Sequence, residues 1–328
     1  MIPIHRRARP MNRIVSLVLL MIIAVPLRAQ EARPQPWTDT ALAARIGALA
    51  QGFGGDVGIY VRHLPTGATV EIGADSIFPT ASLVKVPILL TLYDQVEQGR
   101  LDLEARVPYP DTLNYRYVES TDVAGYMVAG DTLPLRELAF LMLTVSDNVA
   151  SLWIQALVGG GATVNEWMAA HGFRHTRVNS RTPGREAARS AYGWGQTTPR
   201  EMAEALVMIR EGRAVSPRAS EAMYRLLTKS YWDDYGLSVL PPAVQAASKQ
   251  GFVDRSRSEV LLVNAPAGDF VLAVITKNQA DTSYVADNEG HRLIRAVTRA
   301  VYEHFNPDDP WRPLPRPAAR PTPHPAEQ

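Results

Sequence analysis

The chain has 328 residues, 46% apolar and 20% charged, and contains no cysteine, which excludes disulfides, thiolate metal sites and a cysteine nucleophile. That length and apolar fraction suit a globular enzyme of one large domain or two intertwined ones. The formal charge of +1 hides an asymmetry: residues 1–29 hold five arginines and no acid, and without them the chain stands at −4, so nothing points to a nucleic-acid partner.

Residues 1–29 read as a secretory signal, with Arg6, Arg7, Arg9 and Arg13 ahead of an apolar run at 14–27 that is too short to span a membrane comfortably. Cleavage after Ala29 would leave a secreted or periplasmic protein with no stable membrane span. Next, Ala41, Leu42, Ile46 and Leu49 recur at helical spacing over 38–51, with Thr38 or Asp39 as cap and Gly52 as stop. The β-rich runs 57–64 and 68–72 flank Pro65-Thr66-Gly67 and predict a hairpin. The glycines at 52, 54, 55 and 58 precede the first strand and read as a turn, not a phosphate loop.

Residues 82–98 predict a helix that is apolar nearly all round, hence buried, and Pro87, past the expected first turn, predicts a kink or an irregular start. A helix over 135–144, capped by Asp131 or Thr132, breaks at Ser146-Asp147-Asn148 and resumes over 149–158 until Gly159-Gly160-Gly161; another follows at 163–171. Residues 173–199 lack periodicity and contain Pro183, Gly184, Gly193, Gly195 and Pro199, as a long functional loop would. Helical patterns return at 199–211 and 217–228. Lys249-Gln250-Gly251 stands at an expected strand edge, just before β-rich runs at 260–264 and 270–276. A helix over 288–305 closes the fold, and residues 307–328, with eight prolines, read as a disordered tail.

This order predicts an α/β fold of the α+β, two-layer kind. An antiparallel sheet flanked by the N- and C-terminal helices (about 38–80 and 212–305) carries an inserted all-helical part (about 81–211), within one catalytic domain over 30–306. The cleft between the two parts is the expected site.

The chemistry is carried by three short stretches. Ser82-Leu83-Val84-Lys85 sets a serine and a lysine three apart, on one face of a helix, where an amine can help remove the hydroxyl proton. Singly, Ser82 reads as a helix cap, Lys85 as a surface lysine and Ser146-Asp147-Asn148 as a turn. Together, and in order with Lys249-Gln250-Gly251, they point to an acyl-serine site. His171 and His175 are separated by Gly172 and have no acid cluster beside them, so no metal site is expected, and no cofactor is implied.

In these motifs, in Thr197-Thr198-Pro199 and in the strand-like run 270–275, the chain resembles class A β-lactamases and the wider penicillin-recognising serine hydrolases over about 38–305. The resemblance implies a serine β-lactamase or D,D-peptidase fold, with Ser82 as nucleophile and Lys85 as its base, helped by burial and by the neighbouring Lys249. It makes Ser146 the proton relay to the leaving nitrogen and Asn148 the partner of the substrate amide. Lys249, Gln250 and Gly251 would face the substrate carboxylate, and the main-chain N–H groups of Ser82 and Phe252 would form the oxyanion hole. The first expectation is thus a secreted hydrolase that opens β-lactam rings through an acyl-enzyme on Ser82 and works as a monomer. The alternatives are a D,D-peptidase or penicillin-binding protein that acylates and deacylates slowly, or a non-catalytic module for cell-wall peptides.

Two positions depart from the family pattern. Thr182 stands where the deacylating glutamate belongs, ahead of Pro183, and a hydroxyl cannot activate water as a carboxylate can. Glu186, four residues on, is the candidate replacement, or else a solvated loop acid. Gln250 replaces a hydroxyl residue, with Arg255 or Arg257 as possible carboxylate partners or as plain turn residues.

Overall fold

β-rich runs from the two ends of the chain join in one sheet. The structure, a computed structural model, describes residues 34–113 and 121–312; the expected signal at 1–29 and most of the proline-rich tail fall outside them. The chain starts with β1 (Trp37–Thr38), α1 (Thr40–Ala50), β2 (Asp56–His63) and β3 (Ala68–Ile72). Next come β4 (Phe78–Pro79), a 3₁₀ turn (Ala81–Val84), α2 (Lys85–Glu97), β5 (Arg106–Pro108) and β6 (Thr132–Pro134). The helices α3 (Leu135–Thr144), α4 (Asn148–Leu157) and α5 (Gly160–Ala170) lead to β7 (Arg177–Val178), α6 (Glu186–Tyr192) and β8 (Gly195–Thr197). After α7 (Pro199–Arg210) and α8 (Pro217–Leu227) come β9 (Ala246–Val253), β10 (Ser256–Ala265), β11 (Gly268–Lys277) and α9 (Glu289–Phe305).

The main sheet runs β1-β3-β2-β11-β10-β9, antiparallel apart from the short β1–β3 pairing, and leaves β9 at an edge. Both faces are covered. Leu261, Val263, Leu272 and Val274 pack with Leu42 and Ile46 of α1 and Ile294 and Val297 of α9. Val260, Leu262, Val271 and Ala273 face the helical side, with Leu83, Leu89, Trp153 and Leu206. That double burial is why β10 and β11 read as unbroken apolar runs rather than alternating ones.

Local chemistry sets the ends of the helices. Asp39 caps α1, accepting the Leu42 N–H at 2.9 Å, and Asn288 caps α9. No side chain caps α3, contrary to the expectation for Asp131 or Thr132: the Leu135 and Arg136 N–H groups donate instead to the carbonyls of Ala105 and Leu103. α2 begins at Lys85, after the 3₁₀ turn, so Pro87 is its third residue, where a missing N–H leaves little unpaired. Residues 173–199 hold α6 and the short strands β7 and β8, which short polar segments did not announce in the sequence.

Candidate active site

Ser82 lies in the 3₁₀ turn, three residues before α2 begins, and is half-buried. The turn is tight: Ala81 adopts φ 42°, in the left-handed region, while Thr80 N–H donates to the Gly195 carbonyl of β8 at 2.9 Å. Lys85 is fully buried at the head of α2, and its Nζ is 3.0 Å from Ser82 Oγ. The same amine donates to Ser146 Oγ and Asn148 Oδ1, each at 2.9 Å, and to the Ser146 carbonyl.

Ser146 can meet Lys85 because the chain turns sharply between α3 and α4, with Ser146 at φ 65°, an unfavourable value for a residue with a side chain. The next residue holds the turn. The buried Asp147 carboxylate caps α4 through the Ala150 N–H and takes the Ala124 N–H, both at 2.8 Å. Burial pushes this carboxyl up, against those two hydrogen bonds. Asp122, also buried, accepts the Asn148 N–H at 2.6 Å and fixes the start of α4.

β9 supplies the third side. Lys249 is fully buried, with Nζ 3.0 Å from Ser146 Oγ and 2.9 Å from the Gln250 carbonyl. One serine hydroxyl thus bridges two buried amines. Burial, and next the nearby Lys85, hold Lys249 well below the usual lysine range, while Glu259 opposes the shift.

β9 also has main-chain groups on the open edge of the sheet. Arg257 N–H donates to Thr276 Oγ1, and the Arg257 carbonyl accepts from that hydroxyl, so both groups face β11. Its antiparallel partner, Phe252, is then a non-hydrogen-bonded pair member and turns its N–H toward the open edge. Gly251 lets this edge close on Ser82: a Cβ there would sit 2.6 Å from the Thr80 carbonyl and 2.8 Å from Ser82 N.

The remaining expected residues divide between the neighbourhood of Lys249 and loops away from it. Gln250 is buried at 2% exposure; its Oε1 comes to 3.4 Å from Lys249 Nζ, and its Nε2 is buried without a hydrogen-bond partner. Arg257 is clamped by the Asp254, Ser256 and Ser283 carbonyls and lies over the Tyr284 ring, while Arg255 binds the Asn278 and Gln279 carbonyls; both arginines serve loop structure. Thr182 is buried, donates to the Ser180 carbonyl at 3.0 Å and packs against Gly161, whose missing Cβ makes room for it. Glu186 opens α6, exposed, with its carboxylate on the Gly184 N–H of its own loop.

Sequence reasoning missed Glu259. This fully buried carboxyl accepts from Ser248 Oγ at 2.6 Å and the Gly236 N–H at 2.7 Å, on the strand paired with β9. Burial pushes it up to about 7, while those hydrogen bonds and Lys249 pull the other way. An acid inside the apolar run Glu259-Val260-Leu261-Leu262 was the available signal. Asp122 was missed as well, with no periodic element around it to mark it.

A family model described as "Beta-lactamase enzyme family" matches residues 41–305. Among solved structures, PBP-A is similar at TM-score 0.74 and 27% identity, over 84% of this chain and 100% of that one. A point mutant of PBP-A, solved as an acyl-enzyme complex with penicillin G, gives 0.74 and 26%, over 84% and 99%. A β-lactamase from Sphaerobacter thermophilus DSM 20745 gives 0.71 and 28%, over 83% and 99%.

Proposed function

The chain belongs to the β-lactamase enzyme family, and we propose that Ser82 takes up acyl groups from β-lactams or cell-wall peptides and releases them slowly, as a penicillin-binding D,D-peptidase would. The observation that carries this reading is a contrast. The acylating groups converge, with Ser82, Lys85, Ser146 and Lys249 linked by contacts of 2.9–3.0 Å. The loop that should supply a base for deacylation has a buried, self-bonded Thr182 and a Glu186 turned to solvent.

The steps follow from the geometry. Ser82 Oγ attacks the carbonyl carbon as its proton passes to Lys85 Nζ, and the oxygen's developing charge is met by the Ser82 and Phe252 N–H groups. The C–N bond then breaks, Ser146 Oγ gives its proton to the leaving nitrogen, and the buried amines of Lys85 and Lys249 restore it. Water must next attack the ester, and the two loop residues in line to activate it are bonded elsewhere: Thr182 donates to the Ser180 carbonyl and Glu186 accepts from the Gly184 N–H. The similarity to the S. thermophilus β-lactamase favours a second reading, efficient β-lactam turnover with Glu186 as base.

A fluorescent penicillin separates the two. The slow-release reading expects one label per chain, abolished in Ser82→Ala and stable over many minutes. Rapid loss of label with steady consumption of penicillin supports the second. We also propose export, from the Arg-rich and apolar pattern of residues 1–29; N-terminal sequencing of protein recovered outside the cytoplasm should begin at Gln30, and a retained residue 1 would refute it.

A further inference from the structure

The segment between α8 and β9 carries an aromatic pair that the acylation steps leave unused. Tyr231 N–H donates to the Thr144 carbonyl at 2.9 Å, and Trp232 Nε1 donates to the Val145 carbonyl at 3.0 Å. The two acceptors are the residues directly before Ser146. The rings meet edge to face, with centroids 5.3 Å apart at 87°. Ser230 Oγ donates to the Trp232 carbonyl and tightens the turn. Tyr231 is nevertheless 64% exposed, although its backbone is pinned.

A large ring held in place yet left in water has given up freedom without gaining apolar burial. A ligand that covers it recovers that loss, and tyrosine and tryptophan offer broad, stiff surfaces for such contacts. The position selects which part of a ligand. In the proposed reaction Ser146 delivers its proton to the leaving atom, so the residues fastened beside Ser146 flank the leaving group rather than the acyl group.

We propose that Tyr231 and Trp232 form a subsite for the leaving group of the acyl donor, selecting leaving groups that carry an aromatic or other flat apolar ring. The inference rests on the acyl-enzyme reading above. The acyl carbon to leaving-atom bond breaks, the acyl group stays on Ser82 Oγ, and the leaving atom takes the Ser146 proton while its ring lies against Tyr231. In a β-lactam the leaving nitrogen stays tethered, so the fused ring and its substituent occupy this place.

The test uses two thioesters with one acyl group, one releasing benzyl mercaptan and the other methanethiol. Acylation rates at Ser82 are read by intact mass, and binding of both thioesters to Ser82→Ala by calorimetry. The wild type should prefer the benzyl donor in rate, and Ser82→Ala should prefer it in binding. Tyr231→Ser should cut that preference about 3- to 10-fold, Tyr231→Phe should keep it, and the methyl donor should react within about twofold throughout. Equal preference in wild type and Tyr231→Ser, or none in wild type, overturns the subsite. Absent acylation by both donors, with a Tyr231-dependent benzyl preference retained in the Ser82→Ala binding, upholds the subsite and refutes the acyl-enzyme reading instead.

Discussion

Gly251→Ala tests how closely β9 must approach the nucleophile. The new methyl would lie 2.6 Å from the Thr80 carbonyl, 2.8 Å from Ser82 N and 3.0 Å from Ser258 Oγ. Two of those three neighbours are backbone, held by the Thr80–Gly195 bond and the start of α2, so they cannot swing away. Restoring ordinary contact needs a retreat of roughly 0.5–1 Å by the strand edge. Stability should fall by about 1–3 kcal/mol, the range for overpacking a filled site. The larger effect is on rate. The same retreat carries the Phe252 N–H away from Ser82, and loss of one oxyanion donor typically costs ~10²–10³ in rate. The assay is the second-order rate of Ser82 labelling by a fluorescent penicillin, beside thermal unfolding followed by circular dichroism. Labelling within about threefold of wild type in a folded Gly251→Ala protein would refute the placing of Phe252 in the oxyanion pocket.

Further outcomes follow from the same contacts. Ser146→Ala removes the hydroxyl shared by Lys85 and Lys249; labelling should slow by about 10²-fold or more while the fold persists, and an unchanged rate would exclude Ser146 from proton transfer. Glu186→Gln should leave the lifetime of the acyl adduct within about twofold, because its carboxylate is bonded to Gly184 in solvent; a long-lived adduct only in the variant would make Glu186 the deacylating base. Glu259 predicts a pH-dependent stability. Its carboxyl, normally at 4.5, is raised to about 7 in the fold, so the folded state holds that proton more tightly than the unfolded chain does. Its contribution is therefore complete below pH 4.5 and is lost as pH rises through about 7, by on the order of 3 kcal/mol. Denaturant titrations of wild type and Glu259→Gln at pH 4.5 and 8 should differ by that slope, and parallel profiles would contradict it.

The main sheet, most of the helices and the meeting of Ser82, Lys85, Ser146 and Lys249 were legible because each rests on a local pattern. The apolar runs of β10 and β11, the capping Asp39, and the glycine that follows Lys249-Gln250 all declare themselves within a few residues. What escaped depends on distant partners. The α3 cap comes from the carbonyls of Leu103 and Ala105, some thirty residues upstream, so Asp131 and Thr132 were misleading neighbours. The strands β7 and β8, two and three residues long, are too short to show a period, yet β8 anchors Thr80 close to Ser82. Whether Arg255 and Arg257 bind a carboxylate or belong to a turn stayed open, because a sequence does not reveal which carbonyls surround a guanidinium. Glu259 went unread at the head of its apolar run, and its role as the acid opposing Lys249's loss of charge needed the β9–β10 register.

The most direct test of the central claim is the intact mass of the purified protein followed after a short exposure to penicillin. The account expects one whole penicillin added per chain, located on the peptide that carries Ser82, absent from Ser82→Ala, and persisting long after free penicillin is removed. No adduct at any time together with no loss of penicillin, or an adduct that forms equally in Ser82→Ala, would contradict it.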